Sequence, residues 1–176
     1  MNETTKAGPA GKIEFDGDHA SLVFERTLHH PPEAVWAALT DPAEMQRWFM
    51  TTARIDGRAG GSVDMVSGPA RFHWTGKILA WDPPRVLEYE WNVDPRPELP
   101  QGEQTVVRWE LERSGNSTRL KLTHRRLTRP TALGFAPGTH AFLDRLAAQL
   151  DGAPLPDWMR VFGEVQESYA AAVPGC

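Results

Sequence analysis

The chain has 176 residues, of which 40% are hydrophobic and 24% charged, and its formal net charge is −4 at pH 7. This composition is typical of one globular domain with its own core, and the interspersed charges show no basic face for nucleic acid. No apolar run approaches the roughly 18 residues of a membrane span, and the N-terminus lacks the apolar segment of a signal peptide. The single cysteine, Cys176, excludes an internal disulfide framework. We therefore expect a cytoplasmic protein with neither nucleic acid nor a membrane as partner.

The N-terminal part of the chain predicts a tail followed by a hairpin. Residues 1–11 are small and polar, which is typical of a disordered tail. Alternating apolar residues predict strands over 13–15 and 21–28, and a turn at 17–19 would allow the two to pair. The strand over 21–28 is the first long strand of the chain.

Two short helices are predicted next. Pro32 suits the first position of a helix, and a second helix starts at Asp41-Pro42, with Asp41 as N-cap and Glu44 three residues on. Because proline disfavours helical geometry at the residue before it, the two helices should meet at an angle.

Five further segments alternate between apolar and polar residues and are separated by turns. Each places its apolar residues on one face, as Val107, Trp109 and Leu111 do in the fourth segment. This pattern predicts an antiparallel sheet with one face against a core. The predicted strands are 60–67, 71–82, 85–94, 104–113 and 117–125.

A helix predicted to begin at Pro137 and end at Leu150 is the natural cover for that sheet. His140 and Leu143 share its apolar face. Asp157 predicts the N-cap of a last helix, which we expect to pack outside the first or to form a dimer face, so that the protein is a monomer or a homodimer. A strand, a helix pair, a meander and a covering helix together predict an α+β architecture.

Four segments in order along the chain carry a family resemblance. They are FERTLHHPPEAVWAALTDPAEMQRWF from Phe24, GKILAWDPPRVL from Gly76, LKLTH from Leu120 and GTHAFLDRL from Gly138. In these segments the chain resembles the activator of heat-shock-protein-90 ATPase homologue family, within the SRPBCC (START-like, Bet v 1-like) superfamily.

The resemblance implies a helix-grip fold: a curved antiparallel sheet around a long C-terminal helix, two short helices after the first long strand, and an internal ligand cavity. After the tail over 1–11, we expect the helix-grip domain over 12–150. The C-terminal helix lies beyond the family's usual core, so we expect residues 151–176 to form a helical extension of the same domain. Relatives often carry tryptophan where this chain has Thr139, a difference that opens space near the start of the helix. The resemblance carries over no catalytic set, because the fold hosts several chemistries.

The only candidate catalytic residues are His124, on the inward face of its strand, and His140, on the inward face of its helix. If they meet across the cavity, they can act as a polar handle or a general acid–base pair. The alternative is two satisfied, partly buried histidines. No metal-ligand spacing and no nucleophile motif occur in the sequence, so we expect neither a metal site nor a cofactor.

Inward-facing aromatic residues are the best candidates for a cavity lining, because they suit an apolar ligand with a polar end. Several of them could instead simply fill the interior. The aromatic candidates are Trp48, Phe49, Phe72, Trp74, Tyr89, Trp91, Trp109, Phe135 and Phe142. Their non-aromatic or histidine neighbours in the predicted lining are Met65, His124, Thr139, His140 and Leu143.

Three functions follow as hypotheses. The first is a protein that binds a small hydrophobic or aromatic molecule and is not an enzyme. The second, implied by the resemblance alone, is a co-regulator of a chaperone ATPase with a role in the stress response. The third is a cyclase-, aromatase- or hydrolase-like enzyme that uses the cavity histidines.

Overall fold

The computed structural model describes residues 7–173, which form eight strands and four helices. Residues 1–6 of the expected tail lie outside this range, as does Cys176. The strands are β1 (Lys12–Asp16), β2 (His19–Leu28), β3 (Thr51–Ile55), β4 (Ser62–Ser67), β5 (Phe72–Asp82), β6 (Val86–Val93), β7 (Glu103–Ser114) and β8 (Ser117–Thr128). The helices are α1 (Pro32–Thr40), α2 (Pro42–Trp48), α3 (Arg129–Leu150) and α4 (Trp158–Ala171).

All eight strands form one antiparallel sheet in the order β1-β2-β8-β7-β6-β5-β4-β3. The helix pair α1–α2 separates β2 from β3 along the chain, so the first long strand pairs with the last one, β8. The curved sheet turns its apolar face towards α3, and the core lies between them. The α+β class and the helix-grip arrangement are confirmed.

The hairpin and the helix pair form where the sequence predicts them. In the β1–β2 hairpin Ile13 pairs with Leu22, on either side of a turn in which Gly17 has a φ of 58°. At the start of α2 the side chain of Asp41 accepts a hydrogen bond from the backbone N–H of Ala43, which satisfies one of the free amides of the first turn.

The covering helix α3 begins at Arg129, eight residues before the predicted start at Pro137. Pro130 occupies the first turn. Proline is tolerated there because the backbone N–H groups of the first turn have no acceptor within the helix. Pro137 lies inside the helix. The carboxylate of Glu103 accepts hydrogen bonds from the hydroxyls of Thr128 and Thr131 and places negative charge beside the N-terminus of the helix. Residues 129–136, which precede the predicted start of the helix, are therefore helical as well.

Strand β3 was not predicted from the sequence. It is a five-residue strand at the edge of the sheet and pairs with β4, with Ala53 opposite Met65. Because it is short and only its first residue, Thr51, is fully buried, it has no clear apolar alternation.

The last helix, α4, packs directly on α3. Asp157 caps it through a hydrogen bond to the backbone N–H of Arg160, as predicted. Val161, Val165 and Tyr169 are the buried residues of α4. The helix therefore presents its apolar face to the rest of the described chain.

Residues 7–11 of the expected tail run over the core in the structure. The backbone N–H of Gly8 donates to the carboxylate of Asp144, and that of Gly11 donates to the hydroxyl of Tyr169. A Cβ on Gly11 would lie 2.5 Å from the ring of Phe24, so only glycine allows this close approach. This segment is held by α3 and α4, which differs from the expectation of disorder.

Within residues 7–173 no helix is both long and apolar enough to cross a membrane.

Candidate functional site

A cavity of about 350 Å³ lies between the inner face of the sheet, α3 and α4. Strands β4 to β8 supply one wall, α3 supplies the opposite wall, and the end of α2 closes one side. Trp158 and Phe162 of α4 complete the lining, together with the β4–β5 turn. This volume lies in the lower part of the range of small-molecule sites.

Most residues predicted as cavity lining surround this space, and four do not. Those that line the cavity are Trp48, Phe49, Phe72, Trp91, Trp109, His124, Phe135, Thr139, Phe142 and Leu143. Those that lie outside the lining are Met65, Trp74, Tyr89 and His140.

Trp74 and Tyr89 form the layer behind the cavity wall. The ring of Trp74 stacks on Trp91, with centroids 4.1 Å apart and an interplanar angle of 9°, and on Tyr89 at 5.3 Å. On the cavity side, Trp91 contacts the rings of His124 and Phe135. Because both faces of its indole are packed, the position of Trp91 is tightly defined.

Two of the cavity tryptophans have satisfied indole N–H groups. The indole of Trp48 donates to the carbonyl oxygen of Ala38 at 2.8 Å, and that of Trp109 donates to the hydroxyl of Tyr89 at 3.0 Å. A buried polar group normally has such a partner.

The indole N–H groups of Trp91 and Trp158 are buried and have no hydrogen-bond partner among residues 7–173. Leaving a buried donor unpaired costs about 1–3 kcal/mol. Both residues line the cavity, but the indole nitrogen atoms themselves have almost no accessible surface.

His124 is the most polar residue of the cavity wall. Its Nε2 lies 2.7 Å from the hydroxyl oxygen of Thr105, and that hydroxyl donates to the carbonyl oxygen of Trp91 at 2.8 Å. Burial lowers the pKa of His124 to about 3, because desolvation disfavours the charged imidazolium. His124 is therefore neutral at pH 7.

The cavity contains no formal charge. No Asp, Glu, Lys or Arg is among its lining residues, and its one histidine is neutral. Within the described part of the chain, no group of three or more His, Cys, Asp or Glu side chains could hold a metal ion. The lining of the cavity therefore suits an uncharged molecule.

His140 belongs to a different environment. Its Nδ1 lies 2.8 Å from the hydroxyl oxygen of Tyr169, and its ring packs edge-on against Phe24. Burial lowers the pKa of His140, with the positive charge of Arg26 as a further cause, while nearby Asp144 opposes the shift. The two histidines are thus not brought together across the cavity.

The contribution of α4 to the cavity was not predicted from the sequence. Trp158 and Phe162 lie four residues apart, stack on each other at 5.1 Å, and Trp158 contacts Phe142 of α3. Their spacing on one helical face was visible in the sequence, but it did not indicate that this face turns towards the cavity. The β4–β5 turn, with Gly68 and Pro69 in the lining, was also missed.

Comparison with known proteins identifies relatives of this chain. The family model described as activator of Hsp90 ATPase homolog 1-like protein matches residues 29–151. The chain matches no curated protein.

Several solved structures share its fold over most of the chain. CalU16 from Micromonospora echinospora is 28% identical with a TM-score of 0.71, covering 94% of this chain and 96% of CalU16. The protein encoded by BPP1335 from Bordetella parapertussis is 27% identical with a TM-score of 0.71, covering 96% and 93%. MLL2253 from Mesorhizobium loti is 27% identical with a TM-score of 0.66, covering 77% and 99%.

The family match begins after β2 and ends at the last turn of α3, so it includes the helix pair, most of the sheet and the covering helix. Helix α4 lies beyond it. Because the matched residues make up most of the chain, the protein belongs to the activator of Hsp90 ATPase homolog 1-like family.

Proposed function

We propose that the protein binds a small hydrophobic or aromatic molecule in the cavity between the sheet, α3 and α4. The observation that carries this proposal is a cavity of about 350 Å³ with aromatic walls, no charged side chain and few polar atoms. Small-molecule sites have this composition, since apolar area supplies affinity and a few polar groups fix orientation.

Binding accounts for the cavity better than catalysis does. A general base works best when its pKa lies near the operating pH, whereas the pKa of His124 is about 3. Its predicted partner, His140, hydrogen-bonds Tyr169 instead, and no carboxylate lines the cavity. The acid–base pair that an enzyme of this kind needs is not assembled.

The test is binding of a neutral fluorescent dye, N-phenyl-1-naphthylamine, to the wild-type protein and two variants. Thr139 is half-buried and lies in the part of the cavity wall that α3 supplies. Thr139→Phe places a ring in the cavity and should therefore weaken dye binding at least about tenfold. Thr75→Phe, on the exposed face of β5, is the matched control and should bind like the wild type.

Circular dichroism confirms that both variants are folded before binding is compared. Absence of dye binding to the wild type, or equal binding to all three proteins, would count against the proposal.

A link to a chaperone is the second candidate, and the family match over residues 29–151 favours it. An ATPase assay with the Hsp90 of the source organism tests it directly. Stimulation that saturates with added protein supports the link, and an unchanged rate at saturating protein rules it out.

A further inference from the structure

We infer that the cavity selects a neutral, ring-bearing molecule with a hydroxyl group, which donates a hydrogen bond to Nδ1 of His124. This inference rests on the proposed function and specifies the chemistry of the ligand. It follows from two features of the site: the tautomer of His124 and the absence of charge.

The tautomer of His124 is fixed by the hydrogen bonds of Thr105. A carbonyl oxygen can only accept, so the single hydroxyl proton of Thr105 is used in its bond to the carbonyl oxygen of Trp91. The oxygen of Thr105 can then only accept from His124, which must carry its proton on Nε2. In a neutral imidazole the other nitrogen is an acceptor.

Nδ1 of His124 is therefore an acceptor in the wall of the cavity. It has no hydrogen-bond partner among residues 7–173. Burial keeps the ring neutral, so this nitrogen stays unprotonated at neutral pH. A ligand group that fits it must donate a proton.

The ligand must therefore supply the hydrogen-bond donor for this site. A hydroxyl group can donate its proton to Nδ1 of His124. An ether can only accept, and a plain hydrocarbon can do neither.

Charge distinguishes a hydroxyl from a carboxylate. Burial of an ionised group without a counter-charge is costly, and no lysine or arginine lines the cavity. A carboxylate also cannot donate to Nδ1. A phenol or an alcohol is a neutral class of ligand that can donate to Nδ1 of His124.

The experiment compares four ligands of the same ring size: 1-naphthol, naphthalene, 1-methoxynaphthalene and 1-naphthoate. Affinities are measured by quenching of tryptophan fluorescence at pH 7. We expect 1-naphthol to bind roughly 10- to 100-fold more tightly than naphthalene or the methyl ether, because these leave Nδ1 of His124 unpaired. We expect 1-naphthoate to bind most weakly.

Two substitutions separate the nitrogens of His124. His124→Asn places amide atoms at the position of Nδ1 and should keep much of the preference for 1-naphthol. His124→Gln places its amide at the position of Nε2, retains the contact with Thr105 and should reduce the preference to about twofold or less. Circular dichroism and dye binding establish that each variant is folded.

A measurement on the unaltered protein makes the inference testable even if a variant does not fold. Long-range ¹H–¹⁵N spectra of the ¹⁵N-labelled wild type should show His124 protonated on Nε2 alone, and its Nδ1 signal should shift when 1-naphthol is added. Protonation on Nδ1 would overturn the inference.

The inference and the proposed function fail in different ways. If the wild type binds naphthalene and its methyl ether as tightly as 1-naphthol, the hydroxyl inference is wrong while the binding function stands. A preference for 1-naphthol that survives in His124→Gln has the same consequence. If neither the dye nor any naphthalene derivative binds, the proposed function fails and the inference fails with it.

Discussion

His124 sits on the inner face of β8, where burial lowers its pKa to about 3. A histidine in the unfolded chain has a pKa of about 6.5, so between these values the unfolded chain binds a proton that the folded chain excludes. Above about pH 6.5 the histidine is neutral in both the folded and the unfolded state, so its titration does not change the free energy of unfolding. As the pH falls below 6.5, it lowers the free energy of unfolding by up to about 1.4 kcal/mol per pH unit.

Replacing His124 with asparagine should flatten this pH dependence. Between pH 7 and pH 5 the wild type should lose about 2 kcal/mol more of its free energy of unfolding than His124→Asn does, because asparagine cannot take up a proton. Urea denaturation at the two pH values measures the difference. Equal losses in both proteins would show that burial of this histidine does not carry a proton-linked cost.

The lining of the cavity was predictable from strand alternation only as far as the choice of face. Trp74 and Trp91 both point inwards, as alternation predicts, but Trp91 lines the cavity and Trp74 stacks behind it. Met65 is likewise fully buried and outside the lining. Alternation determines which side of a sheet a residue occupies, whereas its depth depends on packing between strands that are distant in sequence.

The elements of the fold were largely predictable, and the exceptions have physical causes. The sequence predicts a start of α3 at Pro137, but a buried proline can lie inside a helix when packing offsets its missing hydrogen bond. At the true start, Arg129, the hydroxyls of Thr128 and Thr131 hydrogen-bond the carboxylate of Glu103, a contact between parts of the chain that are distant in sequence. The role of α4 depends in the same way on which surface α3 presents to it.

Tyr169 joins three elements, and its hydroxyl is the point of contact. It accepts from the backbone N–H of Gly11 and hydrogen-bonds Nδ1 of His140, both at 2.8 Å. Tyr169→Phe leaves the half-buried amide of Gly11 and the buried Nδ1 of His140 unpaired, and it should lower the free energy of unfolding by about 1–3 kcal/mol. Ser168→Ala, at an exposed position on the same helix, is the matched control and should change it by less than about 0.5 kcal/mol.

Hydrogen exchange distinguishes this role from a general loss of stability. In Tyr169→Phe the amide of Gly11 should exchange faster under native conditions, because its acceptor is gone, while amides in β7 keep their wild-type order of protection. An unchanged rate at Gly11 would show that the hydroxyl does not hold the N-terminal segment.

At the scale of the whole molecule, the described chain is expected to behave as one cooperative unit. The family match ends at residue 151, yet α4 packs its buried face on α3 and contributes Trp158 and Phe162 to the cavity. The segment before β1 is hydrogen-bonded to both helices through Asp144 and Tyr169. These contacts join the N-terminal segment and α4 to the part of the chain that the family match covers.

This cooperativity gives a prediction about α4. Amides in α4 and in the central strands β7 and β8 should open with the same free energy in native-state hydrogen exchange, because α4 cannot leave without exposing Val161, Val165 and Tyr169. A bound ligand at 100 times its Kd should raise that free energy by about 2.7 kcal/mol in both regions, since it contacts residues of both. Protection that rises in the strands alone would mean that α4 opens separately and that Trp158 and Phe162 take no part in holding the ligand.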